Sequence, residues 1–136
     1  MQRLQTRSQF QAALSGVVVA KTPHFALHRN SLDTPALFVR ASGATRQTTL
    51  FPVKDVWLGA MVPKRWARRA VTRNAIKRQI YSVSADFQHL YQQAAFVVRL
   101  RRDFSRMEFA SATSVQLRAA VRSELQSLFQ AGAAAP

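Results

Sequence analysis

Apolar positions recur along the chain in two periods, and those periods predict its elements. "TRSQFQAAL" predicts a short opening helix, with Thr6 as N-cap, Gln9 three residues on at the capping-box spacing, and Gly16 as a stop. Phe10 and Leu14, four apart, share one face of it. "GVVVA" (Gly16–Ala20) and "HFALHR" (His24–Arg29) predict strands, the second setting Phe25 and Leu27 against His24, Ala26 and His28. From Asn30 to Pro52 the pattern weakens. "ALFVRAS" reads as a further strand and "GATRQTT" as a turn or mobile loop, so residues 31–54 are expected to form an insertion. "DVWLGAMVP" (Asp55–Pro63) predicts a strand with Leu58, Ala60 and Val62 on one face and Trp57, Gly59 and Met61 on the other. Pro63 ends it, because proline donates no ladder hydrogen bond.

A long helix is expected over Ala67–Tyr91, where Ile76, Ile80, Val83, Phe87 and Leu90 make an apolar stripe that a sheet must cover. "AFVVRLR" (Ala95–Arg101) predicts a strand, and a last helix spans about Ser111–Gln130 with Leu117, Val121, Leu125 and Leu128 facing the core. Residues 1–130 read as one domain, and "AGAAAP" (131–136) as a disordered tail with nothing to bury. The strand–helix–strand unit argues that the strands at Val56–Val62 and Phe96–Arg101 are parallel, with a right-handed crossover as the default. Helices on one face of a mixed sheet make an α+β two-layer sandwich and leave the other face open. Phe10 and Phe25 are then either core residues or ligand-facing ones, and the pattern alone leaves both readings standing.

Charge changes the picture. The 136 residues hold twenty Lys and Arg against six Asp and Glu, a formal charge of +14 with a pI near 11.9. Such self-repulsion opposes compaction, so a polyanionic partner is the natural reading. An apolar content of 48% still supports a packed core. The absence of cysteine excludes disulfides, thiolate catalysis and Cys-ligated zinc. "MQRLQTRSQF" is broken by Arg3 and Arg7, unlike a signal peptide, and no run approaches the ~18 apolar residues that span a bilayer. The expected compartment is the cytoplasm.

Side-chain catalysis finds little support. His24, His28 and His89 are too few for a metal site, and four residues along a strand span roughly 13 Å. The carboxylates are scattered, and no glycine-rich phosphate loop occurs. The basic segment is different. Lys64, Arg65, Arg68, Arg69, Arg73, Lys77 and Arg78 crowd one stretch, and no Asp or Glu lies between Asp55 and Asp86. Arg69, Arg73 and Lys77 step by four along a helix, a rise of about 6 Å per step that is comparable to the phosphate spacing of a nucleic-acid strand. Asn74 beside them both donates and accepts, which suits a sugar hydroxyl or base edge.

"RAVTRNAIKR", with "LGAMVPKR" just upstream, resembles the signature of the protein subunit of bacterial ribonuclease P. Arg73, Asn74, Lys77 and Arg78 fill that family's Arg-Asn-Arg-x-x-Lys-Arg frame, and Lys64-Arg65 its strand-end basic pair. "RLQTRSQFQAAL" is similar to its opening helix, and "FVVRLRR" to its last strand. The resemblance implies an α-β-β-β-α-β-α fold of the ribosomal protein S5 domain 2-like type, with a left-handed crossover in place of the right-handed default. It implies that the catalyst is RNA, that Mg²⁺ is held mainly by that RNA and the substrate, and that the partners are the catalytic RNA and the 5′ leader of precursor tRNA. No protein partner or membrane is implied. Lys64, Arg65, Arg68, Arg69, Arg73, Asn74, Lys77 and Arg78 become RNA-binding candidates. Phe10, Phe25 and Met61 become candidates for a leader cleft between the opening helix and the open sheet face. Several positions depart from the family pattern: Ala75 for its third-position Arg, Tyr81-Ser82 for Arg-Glu, Leu14 for an aromatic, Pro63 for a small residue, and Arg99 where an apolar residue is usual. Without the motif, a ribosomal or other structural RNA-binding protein fits the same charge. A histidine-dependent enzyme is the remaining class.

Overall fold

Thr6 does cap the first helix. Its hydroxyl accepts the Gln9 amide at 3.2 Å, and the Gln9 side-chain oxygen accepts the amides of Thr6 at 3.2 Å and Gln5 at 2.7 Å. This reciprocal cap, worth about 1 kcal/mol, starts helix α1 (Arg7–Leu14). The computed structural model describes residues 1–33, 35–39, 45–104 and 115–135. Around α1 it runs β1 (Gln2–Arg3), β2 (Val17–Lys21), β3 (Phe25–Asn30), β4 (Pro35–Val39), β5 (Thr45–Thr49), β6 (Trp57–Met61), α2 (Ala70–Phe87), a 3-10 turn (Gln88–Leu90), β7 (Ala95–Leu100) and α3 (Val115–Ala134).

Five strands form one mixed sheet in the order β1-β6-β7-β3-β2. β1, β6 and β7 are mutually parallel neighbours, while β7, β3 and β2 pair antiparallel. The architecture is α+β, as expected. Helices α2 and α3 cover one sheet face over a core that includes Phe25, Leu27, Leu58, Phe96, Val98, Ile80, Val83, Val121 and Leu125. The alternation expected in β6 holds: Leu58 and Ala60 enter this core, and Trp57 enters a second cluster on the opposite face.

That opposite face is only partly open. Ala12 and Ala13 of α1 pack there in one cluster with Leu4, Phe51, Trp57, Ala95 and Val97. Consequently β3 and β7 are buried on both sides along most of their length, and β3 loses the in–out contrast its sequence suggested. A glycine in β6 permits the close approach of α1: a Cβ at Gly59 would lie 2.5 Å from the Phe10 ring.

Four expectations are corrected. "TRQTT" is not a loop: it forms β5, which pairs with β4 as a separate antiparallel hairpin, in keeping with its β-branched threonines. The two-residue β1 has no period of its own in the sequence, since its pairing with β6 is a long-range event. Helix α2 ends at Phe87, so Leu90 leaves the stripe for solvent; Tyr91 takes the inward place instead, against Phe96 and Phe129. The tail "AGAAA" is not frayed. α3 continues to Ala134 because glycine at 132 lets the helix close on Leu27 and Tyr91, whose hydroxyl donates to the Phe129 carbonyl at 2.5 Å. The expected helix start at Ser111 lies outside the described residues. No described helix is long and apolar enough to cross a membrane.

Candidate RNA interface

The basic segment begins where β6 runs out. The Pro63 carbonyl accepts the amides of Trp66 and Ala67, both at 3.1 Å, which turns the chain sharply. Ala67 is the buried peg of this bridge, and Lys64, Arg65, Arg68 and Arg69 project from it into solvent. Trp66 is half-buried, with the Arg65 guanidinium 5.5 Å from its ring centroid.

Arg73 has a role the spacing did not show. Its Nη1 donates to the carbonyl oxygens of Ala67 at 3.1 Å and Arg68 at 2.8 Å, so it ties the bridge onto the first turn of α2. The α2 N-cap is Arg69, without a side-chain cap and with no acid in the first turn. The positive end of the helix dipole therefore adds to the cationic field. Further along, Asn74, Lys77 and Arg78 are exposed, while Ile76, Ile80 and Val83 fasten the other side of the helix to the sheet. None of the seven cations from Lys64 to Arg78 has an ion-pair partner among the described residues.

Three of the acids are engaged elsewhere. Asp55 meets the N-terminal amine at 3.3 Å, Glu124 pairs with His24 at 2.7 Å, and Asp86 reaches Arg122 at 3.5 Å. Glu124 also accepts from Thr22 Oγ1 and the His24 amide, which pins α3 to the β2–β3 turn. His24 is thus structural, stacked on Phe104 at 4.0 Å. No cluster of metal-ligating residues occurs among the described residues.

The three cleft candidates separate. Phe10 is half-buried over Gly59, and Met61 is half-buried on the same sheet face. Phe25 is 0% exposed in the main core, on the face covered by α2 and α3. The structure therefore removes Phe25 from the cleft: one step of side-chain parity in β3 places it on the far side of the sheet from Phe10.

A residue outside those candidates joins Phe10 and Met61. Arg99 pairs in register with Met61 on one side and Ala26 on the other, and Ala26 pairs in turn with Lys21. Arg99 was the apolar-position anomaly of the sequence; it faces the partly open sheet face. Its Nε donates to Nε2 of His28 at 3.2 Å, which makes that nitrogen an acceptor and the imidazole neutral.

Burial, and then the Arg99 charge, hold the His28 pKa below its ordinary 6.5. The folded state thus favours neutral His28, and the unfolded chain takes up the proton first as pH falls. The stability this confers is complete above about 6.5 and drains away below it. Thermal unfolding followed from neutral pH downward should show a steeper fall in Tm for the wild type than for His28→Gln. Parallel curves would mean that His28 titrates alike in both states.

Tyr81 explains another departure. Beyond Leu58, β6 has no strand partner on its β1 side among the described residues, and the Tyr81 hydroxyl accepts the Ala60 amide at 3.3 Å. Arg3 stacks 4.0 Å from the centroid of the same ring, so the sheet edge is closed by a side chain where a strand ends.

Together these features define a small α+β protein built around a helix whose leading cations have no ion-pair partner among the described residues, and a partly open sheet face. Solved structures share its fold: the RNase P protein of Staphylococcus aureus (17% identity, TM-score 0.62, covering 96% of this chain and 94% of that one) and that of Thermotoga maritima (16%, 0.57, 94% and 98%). No curated protein sequence matches the chain. The family model described as Ribonuclease P matches residues 1–130, and the chain belongs to that family of ribonuclease P proteins.

Proposed function

We propose that this chain acts as the RNA-binding protein subunit of a cytoplasmic ribonuclease P ribonucleoprotein, which removes the 5′ leader from precursor tRNA. The observation that carries the reading is the largely exposed row of cations from Lys64 to Arg78, without ion-pair partners among the described residues, on a helix whose other side is locked into the core. Guanidinium groups fork across phosphate oxygens, and lysines act as mobile point charges. Lys64, Arg65, Arg68, Arg69, Asn74, Lys77 and Arg78 bind the catalytic RNA, with Arg73 both contacting it and holding the bridge in shape. The leader lies on the sheet face of Phe10 and Met61, where Phe10 offers a stacking surface and Arg99 a charge for a phosphate.

In this reading the RNA is the catalyst, and the protein lowers the Mg²⁺ it requires by neutralising phosphates. This chain's described acids do not fit a Mg²⁺ site. Asp55, Asp86 and Glu124 sit in three different places, each with an internal partner, and the exposed Asp33 and Asp103 belong to no metal-ligating cluster among the described residues, whereas Mg²⁺ takes one or two carboxylates beside substrate phosphates. In this reading the ion is held by RNA and substrate phosphates.

The test is reconstitution with precursor tRNA at low Mg²⁺, with and without the catalytic RNA. Cleavage should require the RNA and rise when the protein is added. Specific cleavage by the protein alone, or no effect on the RNA's activity, would overturn the proposal. Phe10→Ala should weaken binding of leader-bearing substrate by about 1–3 kcal/mol, the worth of one stacked base, and leave mature tRNA unchanged. Equal losses for both, or unfolding, would return Phe10 to the core.

A further inference from the structure

Between α2 and α3 lies a groove of about 420 Å³ lined by Val71, Asn74, Ala75, Arg78, Gln79 and Arg118. Its polar lining comes from two helices. Asn74 and Arg78 stand one turn apart on α2, and Arg118 projects from the first turn of α3. Among the described residues no carboxylate lines it, and neither exposed arginine has an ion-pair partner.

The next turn of α3 shows what a satisfied arginine looks like here. Arg122 reaches across to Gln79 and Ser82 at 3.4 Å and to Asp86 at 3.5 Å, spending its guanidinium inside the protein. Arg118 has no such acid among the described residues. Two like charges converging on one hollow repel each other, and an anion placed between them removes that cost. Ala75 lines the floor of the groove with only a methyl group, and a long side chain at that position would stand in the space.

We propose that this groove is a second phosphodiester site, in which Arg78 and Arg118 clamp one RNA phosphate from opposite walls and Asn74 bonds the adjoining ribose. The site lies beside the Arg69–Arg73–Lys77 row rather than on it, so the RNA backbone is held along two lines. The inference rests on the RNA-binding reading above and adds α3, which that reading left as a core helix.

The experiment measures the salt dependence of binding to the ribonuclease P RNA. It compares the full chain with Arg118→Ala, Lys77→Ala, Arg78→Ala, and the double variant Ala75→Arg with Arg118→Ala. Arg118→Ala should lower the log–log slope by up to about one unit, with helicity and Tm unchanged because Arg118 is exposed. An arginine at 75 rises from the groove floor into the space Arg118 vacates, so the double variant should recover the slope. A wild-type slope for Arg118→Ala, or a double variant no better than the single one, would overturn the groove site. If Lys77→Ala and Arg78→Ala also left the slope untouched, the RNA-binding reading would fall with it.

Discussion

Phe25→Ala is expected to destabilise the protein by about 3–5 kcal/mol, measured by denaturant unfolding, while leaving discrimination between precursor and mature tRNA intact in the folded fraction. Phe25 is 0% exposed and packs among Leu27, Leu58, Val98 and Leu100, with the Phe104 ring 6.0 Å away. Its removal leaves a cavity that a sheet pinned by α2 and α3 closes only in part. A domain of this size has roughly 5–15 kcal/mol of stability in total, so the variant approaches the limit of folding at ambient temperature. Phe10→Ala should show the opposite balance, a modest stability loss with a selective loss of leader binding. If Phe25→Ala spared stability but erased leader discrimination, the assignment of sheet faces would be wrong.

The second large effect concerns Arg73. Arg73→Ala should lower RNA affinity more than Lys77→Ala does, because it removes a cation and also releases the bridge that presents Lys64, Arg65, Arg68 and Arg69. The two hydrogen bonds from Nη1 to Ala67 and Arg68 are worth about 1–2 kcal/mol together, less than two bonds to a buried charged donor, because water competes at a half-exposed site. Arg73→Lys separates the roles. It keeps the charge and hence most of the salt slope, yet one ammonium on a flexible stem does not hold two carbonyls in the geometry of a guanidinium fork. A lower Tm with a near-native slope is expected for Arg73→Lys, and a lower slope with a native Tm for Lys77→Ala. Identical melting of Arg73→Lys and wild type would show that the bridge stands without this brace.

Much of the site is legible in the sequence. The run from Lys64 to Arg78, its lack of acids and its four-residue spacing are local properties, and exposure of most of these side chains follows from the apolar stripe on the other side of α2. Arg73 is legible as a cation but not as a brace, because its acceptors are carbonyls of a turn whose shape is set by Pro63 and Ala67. Arg118 stays hidden for a related reason. Reading α3 by its apolar stripe says which residues face the core, not which neighbour stands beside the rest. The side of the sheet that Phe25 occupies is not legible either, because an alternating strand shows two faces without saying which one α1 will cover.

Short-range period and charge carry the capped first helix, the β6–α2–β7 crossover, the stripe of Ile76, Ile80 and Val83, and a +14 chain in need of anions; all of these stand in the residues alone. Folding in three dimensions settled the rest: which sheet face lies under α1, that "TRQTT" pairs as a hairpin, that Gly132 extends α3 against Tyr91, and that Arg99 and Arg118 join surfaces made by other elements. Periodicity is a property of one segment and its own backbone geometry. A face, a groove or a brace is a relation between segments, fixed by long-range pairing and close packing across the core.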